Sequence, residues 1–481
     1  MIDLEHGHSP LRVVIIGGGI TGLSTAWYLR QAAKREHQAI QCTVLERENE
    51  AGGKIWTDVV GSQGEYILEG GPDAFLAQKP WGVQLANELG LNDDLIPTQS
   101  VPTPTFLLVN GRPQPFPAGM SLIVPTQLRS FLQSPVMSPL GKARLLLDYL
   151  LPPRRTTTDE SLGSFVRRRL GAEALDRLAE PLMAGIHNAN VDEQSILATF
   201  PRFPELEQRY GSLIRGTIAT KPKVTRGVST FLSLRGGMQS LIHTLVAALG
   251  EQVRTGVVVS SITPAPDGTY TVTLANGEEL IADRLVLSTP AYTTAAYVRE
   301  WQPQLAHQLE GIRYVSTGTI SLAFRRDEVG ELPSGFGVII PHSEHRPINA
   351  ITITSQKFAY RAPADRVLVR VFLGGSRNPA VLHLPDKELL TLVRHELRSI
   401  LDISATPTLS RIQRMWQSSP QYDVGHLDRV AIIDRLTPPN MSIIGSAYRG
   451  VGIPDCIKQA QETAESLVQS MKSQPLTTNV S

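Results

Sequence analysis

Three glycines and a glutamate near the N-terminus have the most specific chemistry in this chain. Gly17, Gly19 and Gly22 follow an apolar run with the spacing G-x-G-x-x-G. The first glycine permits a tight turn, the second lets a pyrophosphate approach the backbone, and the third lets a helix pack closely on the strand. Glu46 ends the next apolar segment, where a carboxylate accepts hydrogen bonds from a ribose diol. Because this acid repels a phosphorylated ribose, we expect a dinucleotide with an unphosphorylated adenosine ribose.

Two strands and a helix must position these residues. The sequence VVIIGGGITGLSTAWYL from Val13 to Leu29 is typical of a strand, a glycine turn and a helix, and TVLER from Thr43 indicates a second strand. The N–H groups at such a helix start, with the positive end of the helix dipole, stabilise a phosphate by roughly 0.3–2 kcal/mol. A plain turn would explain the glycines but not the acid at the matching distance.

The segment Ala51-Gly52-Gly53-Lys54 distinguishes a flavin from a nicotinamide dinucleotide. A glycine pair just after the ribose-binding acid resembles the second signature of the FAD-dependent amine oxidase superfamily, in which the chain passes close to the FAD pyrophosphate. Lys54 adds a positive charge there. A plain Gly-Gly turn is the alternative, but the two motifs together predict FAD.

A second strand, glycine loop and helix occur near the C-terminus, in IIGSAYRGVGIP from Ile443. This order would aim another helix N-terminus at the flavin ring, and Pro454 suits the first turn of that helix. Because reduced flavin carries negative charge on its pyrimidine end, the helix dipole would stabilise the reduced form. A simple connection between a strand and a helix is the alternative.

Length and composition narrow the class of protein. A chain of 481 residues suggests about three domain-sized units, and a formal net charge of +1 gives no reason to expect nucleic acid. Cys42 and Cys456 lie too far apart to indicate a disulfide framework. The N-terminal segment lacks the features of a targeting peptide, and no apolar run is long enough for a membrane span. We therefore expect a cytoplasmic protein.

Weak peripheral contact with the inner face of the cell membrane is an alternative. The segment SPLGKARLLLDYLLPPRR from Ser138 mixes leucines with basic residues, and Arg167, Arg168 and Arg169 follow in a second helical segment. Such patterns can lay a helix on anionic lipid. We favour a core-packed first helix with basic ends, and a solvated helix face for the three arginines.

The pattern of elements predicts an α/β protein with a discontinuous Rossmann-like FAD-binding domain, a mixed-sheet substrate domain and a helical insertion. We expect FAD-binding parts at 1–100, 231–300 and 412–481, a substrate-domain strand at 101–116, the helical insertion at 117–199, a substrate-domain segment at 200–230 and the substrate-binding sheet at 301–411.

Motifs along almost the whole chain resemble one family. They are VVIIGGGITGL, EGGPDAFL, LLVNGRPQPFP, SLGSFVRRRLG, EPLMAGI, ATFP, LRGGMQSLI, WQSSPQY and GVGIPDCI. Together they are similar to the oxygen-dependent porphyrinogen oxidases of haem biosynthesis, and most similar to their soluble bacterial, Gram-positive-like branch. The resemblance implies one non-covalent FAD and a six-electron oxidation of a porphyrinogen, with three oxygens reduced to hydrogen peroxide. It favours coproporphyrinogen III as substrate, with protoporphyrinogen IX as the alternative.

The resemblance also implies which residues bind the cofactor. The ADP half would lie on the first glycine turn, Glu46 and the adjacent Arg47, Val259 would clasp adenine, and the remaining positions would border the ribityl chain and the ring. The full set is Gly17, Gly18, Gly19, Ile20, Thr21, Gly22, Glu46, Arg47, Gly53, Lys54, Gly71, Pro72, Asp73, Ala74, Val259, Trp416, Gly445, Val451, Gly452 and Ile453.

Catalysis itself needs no strong acid or base, because the aromatic product makes the oxidation downhill. The need is to hold one bridge carbon about 3–3.5 Å from the flavin in a dry pocket, and we see no Ser-His-Asp set or metal-ligand cluster. Segment 185–190 matches a stretch that lines the pocket, where a backbone carbonyl or His187 could accept a pyrrole proton; His187 and Asn188 depart from the family pattern. Substrate carboxylates need cations, for which the candidates are Lys79, Arg129, Lys142 and Arg144.

Two other classes of protein could have the same flavin-binding fold. A flavin amine oxidase would need two aromatic rings facing the flavin, a role that Trp416 and Tyr448 could fill. A binding protein that has lost its flavin would not need the intact glycine motifs and Glu46. The porphyrinogen-specific motifs favour the oxidase over both.

Overall fold

The computed structural model describes residues 10–62, 65–221 and 229–473. The expectation that the chain lacks a targeting peptide depends largely on residues 1–9. These lie outside the described residues. We number the strands and helices in chain order.

The strands are β1 (Leu11–Ile16), β2 (Ile40–Leu45), β3 (Thr57–Val60), β4 (Tyr66–Glu69), β5 (Phe75–Leu76), β6 (Leu95–Pro97), β7 (Phe106–Val109), β8 (Arg112–Pro115), β9 (Met120–Ser121), β10 (Val124–Pro125), β11 (Phe231–Leu234), β12 (Val253–Arg254), β13 (Val259–Pro264), β14 (Tyr270–Leu274), β15 (Glu279–Ala282), β16 (Arg284–Leu287), β17 (Tyr314–Arg325), β18 (Gly337–Ile339), β19 (Ala350–Ile353), β20 (Arg366–Gly374), β21 (Leu409–Pro420) and β22 (Met441–Ile443).

The helices are α1 (Ile20–Arg35), α2 (Pro80–Glu88), α3 (Leu128–Gln133), α4 (Pro139–Leu146), α5 (Leu162–Arg169), α6 (Ala172–Ala174), α7 (Glu180–His187), α8 (Ile196–Thr199), α9 (Arg202–Tyr210), α10 (Leu213–Ala219), α11 (Gln239–Leu249), α12 (Ala291–Val298), α13 (Pro303–Glu310), α14 (Thr354–Lys357), α15 (Asp386–Leu401), α16 (His426–Leu436) and α17 (Ile453–Ser473). Within the described part of the chain, no helix combines the length and apolar composition of a membrane span.

A five-stranded parallel sheet, in the order β12-β2-β1-β16-β22, carries the first glycine motif. Its central strands are almost continuous apolar runs because both faces are covered. Helices α1, α11 and α17 share a core with one face, and α12, α13 and the β13-β14-β15 sheet pack on the other. Strands from distant parts of the chain thus form one Rossmann-like unit, and the predicted fold class is confirmed.

A second sheet of seven strands has the order β21-β17-β20-β19-β18-β7-β8. Its pairs are antiparallel except for β18 with β7, so the sheet is mixed as predicted. Strand β21 runs to Pro420, past the expected limit at residue 411. It continues because β17 pairs with it as far as Pro420. We therefore propose that the sheet domain extends to that residue.

The packing of α9 and α10 bears on the extent of the helical insertion. Its core includes Phe165 and Leu178, and Phe203, Leu206 and Leu213 belong to the same cluster. Those last three lie on α9 and α10, within the segment that we assigned to the substrate domain. Because all three share a core with Phe165 and Leu178, we propose that the insertion extends to residue 219.

The expectation that all three arginines of α5 face solvent was wrong for Arg169. Arg169 and Asp148 are both fully buried and form an ion pair, and the guanidinium Nη2 also donates to the Gly211 carbonyl at 2.9 Å. Arg168 is partly exposed and pairs with Glu207, whereas Arg167 is half-exposed. The three consecutive residues point in different directions because a helix turns by about 100° per residue.

Candidate active site

The first glycine motif forms the turn between β1 and α1. Gly17 has a φ of +110°, and a Cβ on Gly22 would lie 2.0 Å from the Gly17 carbonyl oxygen. A Cβ on Gly19 would meet no atom within 4 Å. The first and third glycines are therefore required by the fold, while the second faces open space where a phosphate could approach.

Glu46 lies beside this turn and is buried. Its Oε2 accepts a hydrogen bond from Gly18 N at 2.7 Å, and its Oε1 accepts one from Glu48 N at 2.9 Å. Each carboxylate oxygen keeps acceptor capacity for a ribose hydroxyl. Arg47, by contrast, has an exposed side chain that contacts Glu48 at 2.9 Å.

The second glycine motif packs directly on the first. Gly52 N donates to the Gly18 carbonyl at 2.9 Å, and Gly19 and Gly52 form a parallel bridge. Gly53 has a φ of +59°, and its Cβ position lies 3.4 Å from Gly19 Cα. Two motifs that are more than thirty residues apart in sequence therefore border the same open space.

Lys54 connects this region to the C-terminal glycine loop. Its Nζ donates to Ser446 Oγ at 3.2 Å and lies 5.8 Å from the centre of the Tyr314 ring. Burial lowers the pKa of Lys54 to about 8. Within the described residues no carboxylate is close enough for an ion pair with this amine. A partly buried amine without a carboxylate partner fits an anionic ligand, because the ligand would supply the missing negative charge.

The segment Gly71-Pro72-Asp73-Ala74 follows β4, and its first residue packs against the backbone of Lys54. A Cβ on Gly71 would be 1.8 Å from the Lys54 carbonyl oxygen, so only glycine fits. Asp73 pairs with Lys357 at 2.7 Å. Burial acts to raise the pKa of Asp73, but Lys357 and Arg370 outweigh it and leave the pKa below its usual value. The aspartate is thus held as a carboxylate by the protein.

The C-terminal loop connects β22 to α17 through two glycines with positive φ, Gly445 at +132° and Gly450 at +122°, a backbone conformation that favours glycine. Val451 and Gly452 end the loop, and the Gly452 carbonyl accepts the first hydrogen bond of α17 from Cys456 N at 3.0 Å. Because Ser446 accepts a hydrogen bond from Lys54, the loop that leads to α17 lies beside the second N-terminal glycine motif.

The two remaining cofactor candidates lie in different surroundings. Val259 is buried at the start of β13, and nearby Val257 N donates to the Glu46 carbonyl at 2.8 Å, which places this strand beside the ribose acid. Trp416 is 51% exposed on β21, with its ring 5.0 Å from that of His383. Tyr448 is only 1% exposed. Burial of Tyr448 argues against the aromatic pair that an amine oxidase would need.

His187 is a weak base in this structure. It ends α7, and burial, with a smaller effect of Lys79, lowers its pKa to about 4. Its carbonyl accepts hydrogen bonds from Ser419 Oγ and Gln421 Nε2, both at 3.2 Å, which occupies both lone pairs. Asn188 adopts a φ of +53° and ends the helix. We infer that this carbonyl is not free to accept a pyrrole proton.

Most of the proposed propionate-binding cations have structural partners. Lys79 binds both carboxylate oxygens of Asp455 at 2.6 Å. Lys142 donates to the carbonyls of residues 132 and 134, and Arg144 donates to those of residues 167–169 at the end of α5. Arg129 is exposed, and within the described residues its side chain has no hydrogen-bond partner.

Sequence reasoning did not assign two residues that hold the C-terminal loop, Tyr422 and His426. The Tyr422 hydroxyl bonds to the backbone of residues 446 and 450, and His426 bonds to the Tyr448 carbonyl. Tyr422 ends the WQSSPQY motif, but no local spacing indicates a contact with a loop that begins more than twenty residues later.

Residues 20–468 match the family of flavin containing amine oxidoreductases. This chain belongs to that family. It is 33% identical to the coproporphyrinogen III oxidase of Bacillus subtilis (strain 168), over 93% of this chain and 96% of that protein. It is 30% identical to the chloroplastic protoporphyrinogen oxidase of Oryza sativa subsp. japonica, over 94% and 87%. A crystal structure of an Exiguobacterium sp. 255-15 protein superposes with a TM-score of 0.84 at 31% identity, covering 96% and 100% of the two chains.

Family membership confirms the predicted cofactor. The protein is an FAD-dependent oxidoreductase. The open glycine turn and Lys54, which has no carboxylate partner among the described residues, fit a dinucleotide with two phosphates. Cyclohexylamine oxidase of Brevibacterium oxydans IH-35A superposes with a TM-score of 0.69 over 96% of this chain and all of its own. At 14% identity, that likeness concerns the fold alone.

Proposed function

We propose that this protein oxidises coproporphyrinogen III to coproporphyrin III in haem biosynthesis, with oxygen as the final acceptor. The substrate loses six hydrogens, and three oxygen molecules become three molecules of hydrogen peroxide. The observation that carries this proposal is near full-length similarity, at 33% identity, to the coproporphyrinogen III oxidases of Bacillus subtilis (strain 168) and Propionibacterium freudenreichii subsp. freudenreichii.

We propose that the glycine turns, Glu46, Lys54 and the start of α17 hold FAD. Glu46 would accept hydrogen bonds from the adenosine ribose, and Lys54 would offset the negative charge of the cofactor. Bound FAD would supply two-electron redox chemistry, with oxygen as the final acceptor. The loop after β22 would present backbone N–H groups to the pyrimidine end of the flavin.

The chain's own contribution to the chemistry would be placement. Because the product is aromatic, the reaction is downhill, and a bridge carbon about 3–3.5 Å from the flavin is sufficient. His187, with a pKa lowered to about 4 by burial, is neutral at pH 7 and accepts a proton poorly. We therefore propose that the protons lost from the pyrroles pass to solvent rather than to a strong protein base.

Comparison of the two porphyrinogens tests this proposal. The purified enzyme should oxidise coproporphyrinogen III with a kcat/KM about tenfold or more above that for protoporphyrinogen IX, and should release three peroxides per porphyrin. The same assay with putrescine and cyclohexylamine should give no peroxide. A higher kcat/KM for the two-propionate substrate would establish the alternative instead.

Protoporphyrinogen IX oxidation is the second candidate. It is favoured by 30% identity to chloroplastic protoporphyrinogen oxidases of Oryza sativa subsp. japonica and Arabidopsis thaliana over 94% of this chain. The two substrates differ in the number of propionates, four against two, so the preferred one depends on cations near the pocket.

We also propose weak peripheral contact with anionic membranes through the helical insertion. Leu140 and Leu150 are 81% and 78% exposed near α4, and the exposed Arg129 and Arg155 lie on flanking segments of the insertion. Such a surface binds lipid through apolar insertion and charge attraction. Vesicles containing phosphatidylglycerol should sediment the protein at low salt and release it at high salt. Equal binding by the Leu140→Ser, Leu150→Ser double variant would contradict this.

A further inference from the structure

The segment after β21 holds the C-terminal glycine loop at three points. The Tyr422 hydroxyl donates to the Ser446 carbonyl at 2.8 Å and accepts from Gly450 N at 2.8 Å. His426 Nε2 lies 2.9 Å from the Tyr448 carbonyl oxygen. Because a carbonyl can only accept, this nitrogen carries the proton. Alternate residues of the loop are therefore fixed by two side chains, which we call the Tyr422–His426 clamp.

The two side chains of the clamp support each other. The Tyr422 and His426 rings stack with centroids 3.9 Å apart and planes 10° from parallel. Both residues are buried, at 4% and 3% exposed. Burial raises the pKa of Tyr422 and lowers that of His426, so both are neutral at pH 7. The clamp is thus uncharged, and the Tyr422 hydroxyl bonds to two backbone groups of the loop at once.

The clamp also joins the loop to the rest of the protein. Tyr422 follows the last strand of the seven-stranded sheet, and its carbonyl accepts from Ser195 N of the helical insertion at 2.8 Å. On the other side, Ser446 Oγ accepts from Lys54 Nζ. The segment around Tyr422 therefore contacts the substrate sheet, the insertion and the FAD-binding domain.

We propose that Tyr422 is a positioning residue for the flavin, which acts by fixing the loop 445–452 and hence the N-terminus of α17. This inference rests on the FAD site proposed above. It assigns to Tyr422 a role in cofactor geometry.

The test compares Tyr422→Phe with Tyr270→Phe in the FAD-bound protein. Tyr270 is also buried, at 3% exposed, but lies in the β13-β14-β15 sheet. In Tyr422→Phe, Ser446 O and Gly450 N lose their partner, so hydrogen exchange at Gly450 should accelerate at least tenfold. The Kd for FAD should rise about tenfold, equivalent to about 1.4 kcal/mol, and the visible flavin spectrum should shift. We expect kcat to fall while KM for the porphyrinogen stays within twofold. Tyr270→Phe should change none of these.

Outcomes separate this role from simple packing and from the proposed function. A lower Tm for Tyr422→Phe with an unchanged flavin spectrum and FAD Kd would reduce the clamp to a packing contact and overturn the proposal. If Tyr422→Phe does not fold, His426→Gln takes its place, and an unchanged flavin spectrum there has the same meaning. If the wild-type protein oxidises no porphyrinogen, the proposed function fails, but the exchange and FAD titration still decide the role of Tyr422.

Discussion

Arg169 and Asp148 in the helical insertion neutralise each other in the protein interior, whereas Lys54 at the FAD site has no carboxylate partner within the described residues. Asp148 also accepts from Ser212 Oγ at 2.6 Å and from Ile214 N at 3.0 Å. The first network leaves little capacity for a ligand, while among the described residues the Lys54 amine donates a hydrogen bond to one hydroxyl, that of Ser446.

This difference separates a structural charge from a functional one. A partly buried charge without a counter-charge is unfavourable, so we expect it to persist where a ligand supplies the opposite charge. In a matched pair, each charge offsets the unfavourable burial of the other. Removal of one partner leaves the other buried without a counter-charge, which lowers stability. The following predictions test the contrast, from the largest expected effect to the smallest.

Replacement of Arg169 by leucine should have the largest effect, on stability. It leaves Asp148 buried without a counter-charge, and we expect the free energy of unfolding to fall by about 3–5 kcal/mol. Urea denaturation measures this. Arg167→Ala is the matched control, because its pair with Asp192 is half-exposed and contributes only about 0–1 kcal/mol. Equal losses in both variants would refute the contrast.

Replacement of Glu46 by alanine should mainly affect cofactor binding. The variant loses the ribose acceptor and the partner of Gly18 N, so we expect the Kd for FAD to rise about 100-fold, or about 2.7 kcal/mol. Fluorescence titration of the FAD-depleted protein measures it, with Glu48→Ala as control, since that side chain is 65% exposed. Undiminished FAD occupancy and turnover in Glu46→Ala would contradict the proposed site.

Lys54 should make FAD binding depend on pH. Its pKa in the free protein is lowered to about 8 by burial, so above pH 8 the amine is neutral and FAD binding must first take up a proton. The Kd for FAD should therefore rise between pH 8 and 9.5, by at most about tenfold per pH unit. Lys54→Met should bind FAD more weakly at pH 7 and lose this dependence. A parallel pH profile in the two proteins would show that another group is responsible.

His187 should contribute least. Because burial keeps the imidazole neutral at pH 7, His187→Gln should lower kcat/KM by less than about threefold. The pH profile of kcat/KM between pH 5 and 8 should stay unchanged. A loss of more than about 100-fold in kcat at pH 7 would restore His187 as a proton acceptor.

The neutral ring should matter for stability in acid. The pKa of His187 in the folded protein lies below its usual value, so the wild-type protein loses stability as pH falls from about 6.5 towards 4.

Several features that local patterns missed were partly visible in the sequence. Arg169 lies three, four and seven residues after Val166, Phe165 and Leu162, all of which are buried on α5. Helical periodicity therefore places it on the apolar face, although a run of three arginines suggested a solvated one. The limits of the substrate sheet and of the helical insertion were harder to predict from the sequence, because they depend on which strand or helix packs beside them.

The sequence by itself determined the start of the Rossmann-like unit from β1 to α1, the two glycine turns and the acid at Glu46. Those features follow from contacts between near neighbours, such as the close approach of Gly22 to the Gly17 carbonyl, which any side chain would block. Only the tertiary structure decided which charges are matched and how the C-terminal loop is held. Lys54 and Ser446 are separated by 392 residues. The Tyr422–His426 clamp contacts the loop that follows a different strand, β22. Both contacts therefore depend on the packing of distant segments.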